Sequence, residues 1–180
     1  GYASEMGRMS VVGRINYSYM DKYLLEAILR ADASAKFPPE KRWGYFPSVS
    51  LGWVVSKEKF MSDIKFIDNL KLRLSYGQSG NDGVGNFQYL SGYNYGHSYL
   101  FGNDAVQGIT PTGLANPNLT WEKVEISNVG IDFSFFNRNL YGEVDVFYRE
   151  RTGIPANRLG SLPSTFGAAL PPENLNSLPD

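Results

Sequence analysis

The chain contains no cysteine. Disulfides, zinc–thiolate sites and a cysteine nucleophile are therefore excluded. It has little charge of either sign in excess: 17 Lys and Arg stand against 18 Asp and Glu, for a net charge of −1. Nothing in that balance points to nucleic acid or to an anionic surface as a partner. No run of eighteen or more apolar residues exists, so there is no transmembrane helix. A membrane barrel remains open, because it scatters its lipid-facing residues over every second position and keeps average hydropathy low. Histidine is nearly absent. His97 is the single one, and a metal site or Ser-His-Asp triad built on it would need partners that sequence cannot show. It reads as a surface-loop residue. No leader is visible at Gly1–Ser4, and the chain reads as beginning inside a longer sequence.

What is present points to β-structure. Hydrophobic residues make up 42% of the 180, too many for a disordered chain. The 12 Tyr, 11 Phe and 19 Gly suit strands and turns. The length fits one domain of ordinary size.

The strongest signal is a period of two. Val11, Gly13, Ile15, Tyr17 and Tyr19 alternate with Ser10, Arg14, Asn16 and Ser18. After Met20-Asp21-Lys22, Tyr23, Leu25, Ala27, Leu29 and Ala31 alternate with Glu26, Arg30, Asp32 and Ser34. This is a hairpin with one apolar and one polar face. Its strands are about ten residues long, the length of a tilted membrane-spanning strand. The pattern recurs at Tyr45–Val55, Leu70–Tyr76, Val129–Phe135 and Leu140–Tyr148. Six strands are predicted, none apolar on both faces, which disfavours a parallel α/β fold.

The connections are unequal. Strands one and two are joined by Met20–Lys22, and strands five and six by Phe136–Asn139. The fourth connection is a long Gly-, Asn- and Tyr-rich excursion from Gly80 to Thr120. Short turns on one side and long loops on the other are an outer-membrane barrel pattern. The third connection departs from it: Phe60, Ile64 and Ile67 predict a short helical turn near 57–68. Tyr17, Tyr19 and Tyr23 flank the first turn, and Phe135, Phe136 and Tyr141 the last, as rings do at membrane interfaces and at the strand ends of many β-sandwiches. Pairing Tyr19 with Tyr23 sets Asn16 opposite Glu26 and Arg14 diagonal to it. Pairing Phe135 with Leu140 sets Asp132 opposite Glu143. That like-charge pair needs a cation from a neighbouring strand, and a wet lumen rather than a dry core.

Several stretches resemble the SusC/RagA family of TonB-dependent outer-membrane transporters. They are Gly13–Tyr19, Asp21–Ala27, Arg42–Ser50 with Gly52-Trp53, Ile67–Arg73 with Ser75–Gly77, Asn116–Glu122 and Asn128–Phe133. The resemblance weakens at 80–110 and after 155. It implies an all-β, antiparallel up-and-down meander, a segment of a barrel of about twenty-two strands. Residues 1–180 are then a partial barrel domain without plug or TonB-contacting segment. It further implies an outer-membrane location, TonB and a SusD-like lipoprotein as partners, and import of oligosaccharides or peptides. A lone six-stranded piece would have open edges and could self-associate through them.

Other chemistry is thinner. Glu143 and Asp145 share a face at a spacing a glycosidase could use, but polar strand faces commonly carry such pairs. Gly83-Val84-Gly85 lacks the third glycine and helix of a dinucleotide site. Gly77-Gln78-Ser79-Gly80 has the wrong spacing for a nucleophile elbow. Asn118-Leu119-Thr120 fits a sequon but reads as the start of a strand. The chain is therefore not expected to be an enzyme, nor to hold a cofactor or metal. Trp43, Tyr89, Tyr93, Tyr95 and Tyr99 are the candidate ligand-binding residues, because rings in external loops can stack on sugars or peptides. If Phe87–Phe101 formed a hairpin, its odd-numbered tyrosines would share a face. A soluble β-sandwich that binds carbohydrate is the competing reading, and a hydrolase on a β scaffold a third.

Overall fold

The computed structural model describes residues 6–111, 114–157, 172–175 and 178–179. All its long elements are strands: β1 (Arg8–Tyr19), β2 (Tyr23–Ser34), β3 (Trp43–Val54), β4 (Ile67–Asn81), β5 (Tyr93–Phe101), β6 (Asp104–Pro111), β7 (Glu122–Phe135) and β8 (Leu140–Thr152). Short strands follow: β9 (Ile154–Asn157), β10 (Pro172–Leu175) and β11 (Leu178–Pro179). The main sheet runs β1-β2-β3-β4-β7-β8-β11, antiparallel throughout. The six alternating stretches of the sequence are its first six strands. β5 pairs with β6 and β9 with β10 in separate two-stranded sheets. The chain is thus an up-and-down meander with one excursion between β4 and β7.

Register keeps the two faces apart over the whole sheet. Tyr23 pairs with Tyr19 and with Trp53, and Trp53 with Leu72. Leu72 pairs with Ile131, and Ile131 with Val144. A one-residue slip at any of these seams would have sent an apolar set to the polar side. The apolar face is uncovered: Ile15 is 68% exposed and Val146 69%. A sandwich would lay a second sheet over it. Along β1 the apolar set runs from Val11 to Tyr19, roughly 27 Å at about 3.4 Å per residue. With a tilt of 35–45° that approaches the apolar band of about 25 Å in an outer-membrane barrel.

Aromatic rings mark the lower edge of this band. The Tyr19 and Tyr23 rings stack at 6.4 Å, and those of Phe133 and Phe135 at 5.4 Å. At the opposite edge the same face turns polar. Tyr76 Oη donates to Glu125 Oε2 (3.0 Å), and Gln78 Nε2 donates to Glu125 Oε1 (3.1 Å).

The two ends of the sheet are built differently. The β1–β2 turn is tight, with positive φ at Met20 and Asp21, a backbone hand that matches strand twist. The β7–β8 turn uses positive φ at Phe136, Asn137 and Arg138. The short helical turn expected near 57–68 takes the form of two 3-10 turns, Val55–Lys57 and Lys59–Met61. Ile67 already belongs to β4, where the register shifts around Asp68. That bulge frees Asp68 to accept a hydrogen bond from the Arg138 N–H (2.9 Å).

The buried core lies at the other end, where the long connections begin. It consists of Phe37, Phe46, Val84, Leu119 and Trp121. Phe46 shares its face with Ser48 and Ser50, so this core forms on the polar side. Gly80 passes directly beneath it; a Cβ there would overlap the Phe46 ring.

Candidate functional site

The polar face is a wall of hydrogen-bonding groups arranged in rows. Asn16, Glu26, Ser50, Ser75 and Asn128 are successive register partners across five strands. Arg14 Nε lies 3.8 Å from Glu26 Oε2, the diagonal pair expected from the hairpin.

Two rows nearer the turns, Asp132 stands opposite Glu143, and the required cation is Arg73 of β4, from the row between. Arg73 Nε donates to Asp132 Oδ1 (2.9 Å), and its Nη2 lies 3.0 Å from Asp145 Oδ2 and 3.7 Å from Glu143 Oε2. To reach β8 the guanidinium crosses β7 above Gly130, the register partner of both Arg73 and Asp145. A Cβ on Gly130 would overlap Asp145 Oδ1 and stand 3.1 Å from the Arg73 guanidinium carbon. Asn128 Nδ2 adds a bond to Asp145 Oδ1 (3.0 Å). Glu143 and Asp145 are thus members of a charge network around one arginine. Sequence showed the need for a cation, and the polar parity of Lys71 and Arg73 was the available signal. The need for a bare backbone at Gly130 had no local signal, because it depends on side chains from two other strands.

At the turn end, Glu58 collects three donors: Tyr23 Oη (2.7 Å), Lys22 Nζ (3.1 Å) and Trp53 Nε1 (3.2 Å). The Tyr23 hydroxyl, then Trp53 and Lys22, hold its carboxyl below the ordinary carboxylate value. The irregular third connection is thereby tied to the first hairpin.

At the outer end, buried Asp82 receives the Arg8 guanidinium and the Ser34 hydroxyl (2.8 Å). Lys36 Nζ donates to the Asp82 carbonyl (2.9 Å). The Arg30 guanidinium lies over the Phe46 ring, 5.4 Å from its centre. These contacts pin the base of the long connection to β1 and β2.

The five candidate aromatics do not form one patch by register. Trp43 opens β3 with the parity of Tyr45 and Val49, so it belongs to the apolar face at its outer edge. Tyr89 is half-buried in the connection, its ring 6.5 Å from that of Phe87. Tyr93, Tyr95 and Tyr99 lie on β5, which pairs with β6 rather than within Phe87–Phe101. Tyr93 and Tyr95 share a face with Pro111 and Ile109. Between Gly96 and Ser98 the register slips by one at His97, whose side chain lies outside the described residues. Tyr99 consequently pairs with Val106 on the opposite face. The hairpin within Phe87–Phe101 on which a shared tyrosine face depended does not form, and in the β5–β6 hairpin the bulge puts Tyr99 on the other face from Tyr93 and Tyr95.

Among the described residues no helix is long and apolar enough to cross a membrane, which does not bear on strands. Nor do the described Asp and Glu residues gather into a group able to hold a metal ion.

Comparison with known proteins agrees with this architecture. Residues 7–176 match the family described as TonB dependent receptor-like, beta-barrel. A TonB-dependent receptor of Formosa agariphila is 41% identical over 140 residues, 78% of this chain and 13% of that protein. The TonB-dependent receptor SusC of Bacteroides thetaiotaomicron is 37% identical over 153 residues, 83% of this chain and 15% of SusC. The chain therefore spans only a small part of the curated relatives it matches. Among solved structures, the RagAB peptide importer in its closed-closed state superposes with a TM-score of 0.82 at 26% identity. That match covers 97% of this chain and 18% of the importer chain. An uncovered apolar face in register over six strands, a charged inner wall and these likenesses lead to one conclusion: the chain belongs to the TonB-dependent receptor-like β-barrel family of the outer membrane, with SusC and RagA as its kin.

Proposed function

We propose that residues 1–180 are one segment of the barrel of a nutrient importer. In the whole protein, transport would be driven through TonB and shared with a SusD-like lipoprotein, with oligosaccharides or peptides as cargo. The observation that carries this reading is the register over six strands, which keeps a mainly apolar outer face apart from a mainly polar, ion-paired inner face. Lipid fits the first and water or a plug the second. No catalytic role is assigned to any residue.

We assign ligand contact to the β5–β6 hairpin, with Tyr93, Tyr95 and Tyr99 as its rings and Tyr89 at its base. Trp43 is the weakest of the five candidates, because its parity turns it to the apolar side. Tyr93 is 72% exposed and Tyr95 77%. Between Asn86 and Pro111 the only charged side chain is Asp104. Tyr, Asn, Ser and Gly on a paired backbone give rigid rings with adaptable hydrogen bonds. A neutral surface of this kind favours an uncharged glycan over a charged peptide.

The test is ligand binding and uptake by the full-length protein carrying Tyr93→Ala with Tyr95→Ala. Loss of two stacked rings should weaken binding by about tenfold or more. Unchanged binding across neutral glycans and peptides would remove the hairpin from the ligand surface without touching the barrel assignment.

A further inference from the structure

The segment Asn116–Trp121 precedes β7 and lies outside the strands of the wall, yet three of its side chains are buried. Leu119 is fully buried, and Asn116 and Trp121 nearly so. We propose that this segment is a hub that locks three outer connections into one body.

Its contacts reach each connection by different chemistry. Toward the β2–β3 connection, the Trp121 ring packs on Phe37 at 5.1 Å and its Nε1 donates to the Arg42 carbonyl (3.1 Å). Toward the early part of its own connection, the Asn116 N–H donates to the Gln88 carbonyl (3.1 Å), and Val84 joins the same core. Toward the chain after β8, the Asn174 side-chain amide brackets Thr120. Its Oδ1 accepts from the Thr120 N–H (3.1 Å), and its Nδ2 donates to the carbonyls of Thr120 (2.9 Å) and Gly153 (2.6 Å). One amide thus stands in for the peptide of a neighbouring strand.

Surface connections ordinarily open independently, because each has few buried contacts of its own. Here the buried contacts are shared. Peeling back the β2–β3 connection or the start of the β4–β7 connection exposes the common core, and peeling back the chain after β8 strips Thr120 of its partner beside that core, so opening becomes cooperative. The β5–β6 hairpin rises between Gln88 and Asn116, and it rides on this body. A load on the hairpin is then felt at Phe37 and at Asn174, whatever ligand or partner applies it.

Hydrogen exchange on the full-length protein in a bilayer, read with increasing denaturant, tests the hub directly. The amides of Phe37, Val84, Leu119 and Thr120 should converge on one opening event, while those of Lys22 and Asn139 at the turn end should stay apart. Trp121→Leu should then speed exchange in segments 34–42, 82–84 and 116–121 by one common factor, about tenfold or more. Trp121→Phe, which keeps the ring but not the Nε1 donor, should sit between. Separate opening events in the unsubstituted protein, or acceleration confined to 116–121, would overturn the proposal, and the first of these is readable even if Trp121→Leu does not fold.

Discussion

At the residue scale the inner wall depends on what one position leaves out. Gly130 provides the gap through which Arg73 reaches Asp145. Gly130→Ala is therefore expected to lift the guanidinium from Asp145 and leave Asp132, Glu143 and Asp145 less well neutralised. Arg73→Met should do the same more completely. Because Arg73 is a third exposed, water offsets much of the loss, and a cost of roughly 1–2 kcal/mol is expected for either change. Thermal unfolding of the full-length protein at low and high salt measures it; a salt-insensitive loss would contradict the electrostatic explanation. Glu58 gives a pH signature. Its folded value lies below its ordinary value of 4.5, so its contribution is complete above that value and is lost as pH falls through the folded one. Wild-type stability should fall as pH drops below 4.5 in a step that Glu58→Gln lacks. Parallel pH profiles for the two proteins would refute the role of the three donors.

At the element scale, alternation was legible and connections were not. The period of two appears in the residues themselves, so the strands, their faces and the pairings Tyr19–Tyr23 and Phe135–Leu140 could all be read in advance. The His97 bulge could not. Gly96-His97-Ser98 carries no local mark of an extra residue, and the slip shows only against Gln107 and Gly108 of the partner strand. The hub was hidden for a related reason: Asn118-Leu119-Thr120-Trp121 looks like the start of a strand, while its partners are distant in sequence, Arg42 lying 79 residues from Trp121 and Phe37 farther still. The third connection was legible in part: Phe60 lies in a 3-10 turn as the spacing suggested, while Ile67 opens β4. Parity itself makes a sharp prediction. Val49→Arg, near the middle of β3 on the apolar face, should cost about 2–4 kcal/mol of barrel stability in a bilayer. Ser50→Arg, one residue on and facing the inner wall, should cost far less. Folding titrations in lipid vesicles compare the two, and equal costs would mean that β3 does not separate lipid from lumen.

At the scale of the whole molecule, the sheet is a wall rather than a container. Among the described residues β1 has a neighbour on one side only, and its residues are exposed throughout. An unpaired edge and an uncovered apolar face are costly in water. Both costs vanish when further strands close the wall and lipid covers the outside. The buried core sits with the long connections instead of between two layers, which is why so small a set as Phe37, Phe46, Val84, Leu119 and Trp121 suffices. Stability of the wall then comes from ladder hydrogen bonds and lipid contact, and that of the outer rim from packing. The barrel wall requires that the apolar parity face lipid. Spin labels placed singly at Leu25, Val49, Glu26 and Ser50 of the full-length protein in a bilayer address it most directly. Labels at Leu25 and Val49 should be relaxed by oxygen and shielded from a water-soluble nickel chelate. Labels at Glu26 and Ser50 should be shielded from lipid, and water contact at Leu25 and Val49 would contradict the barrel account outright.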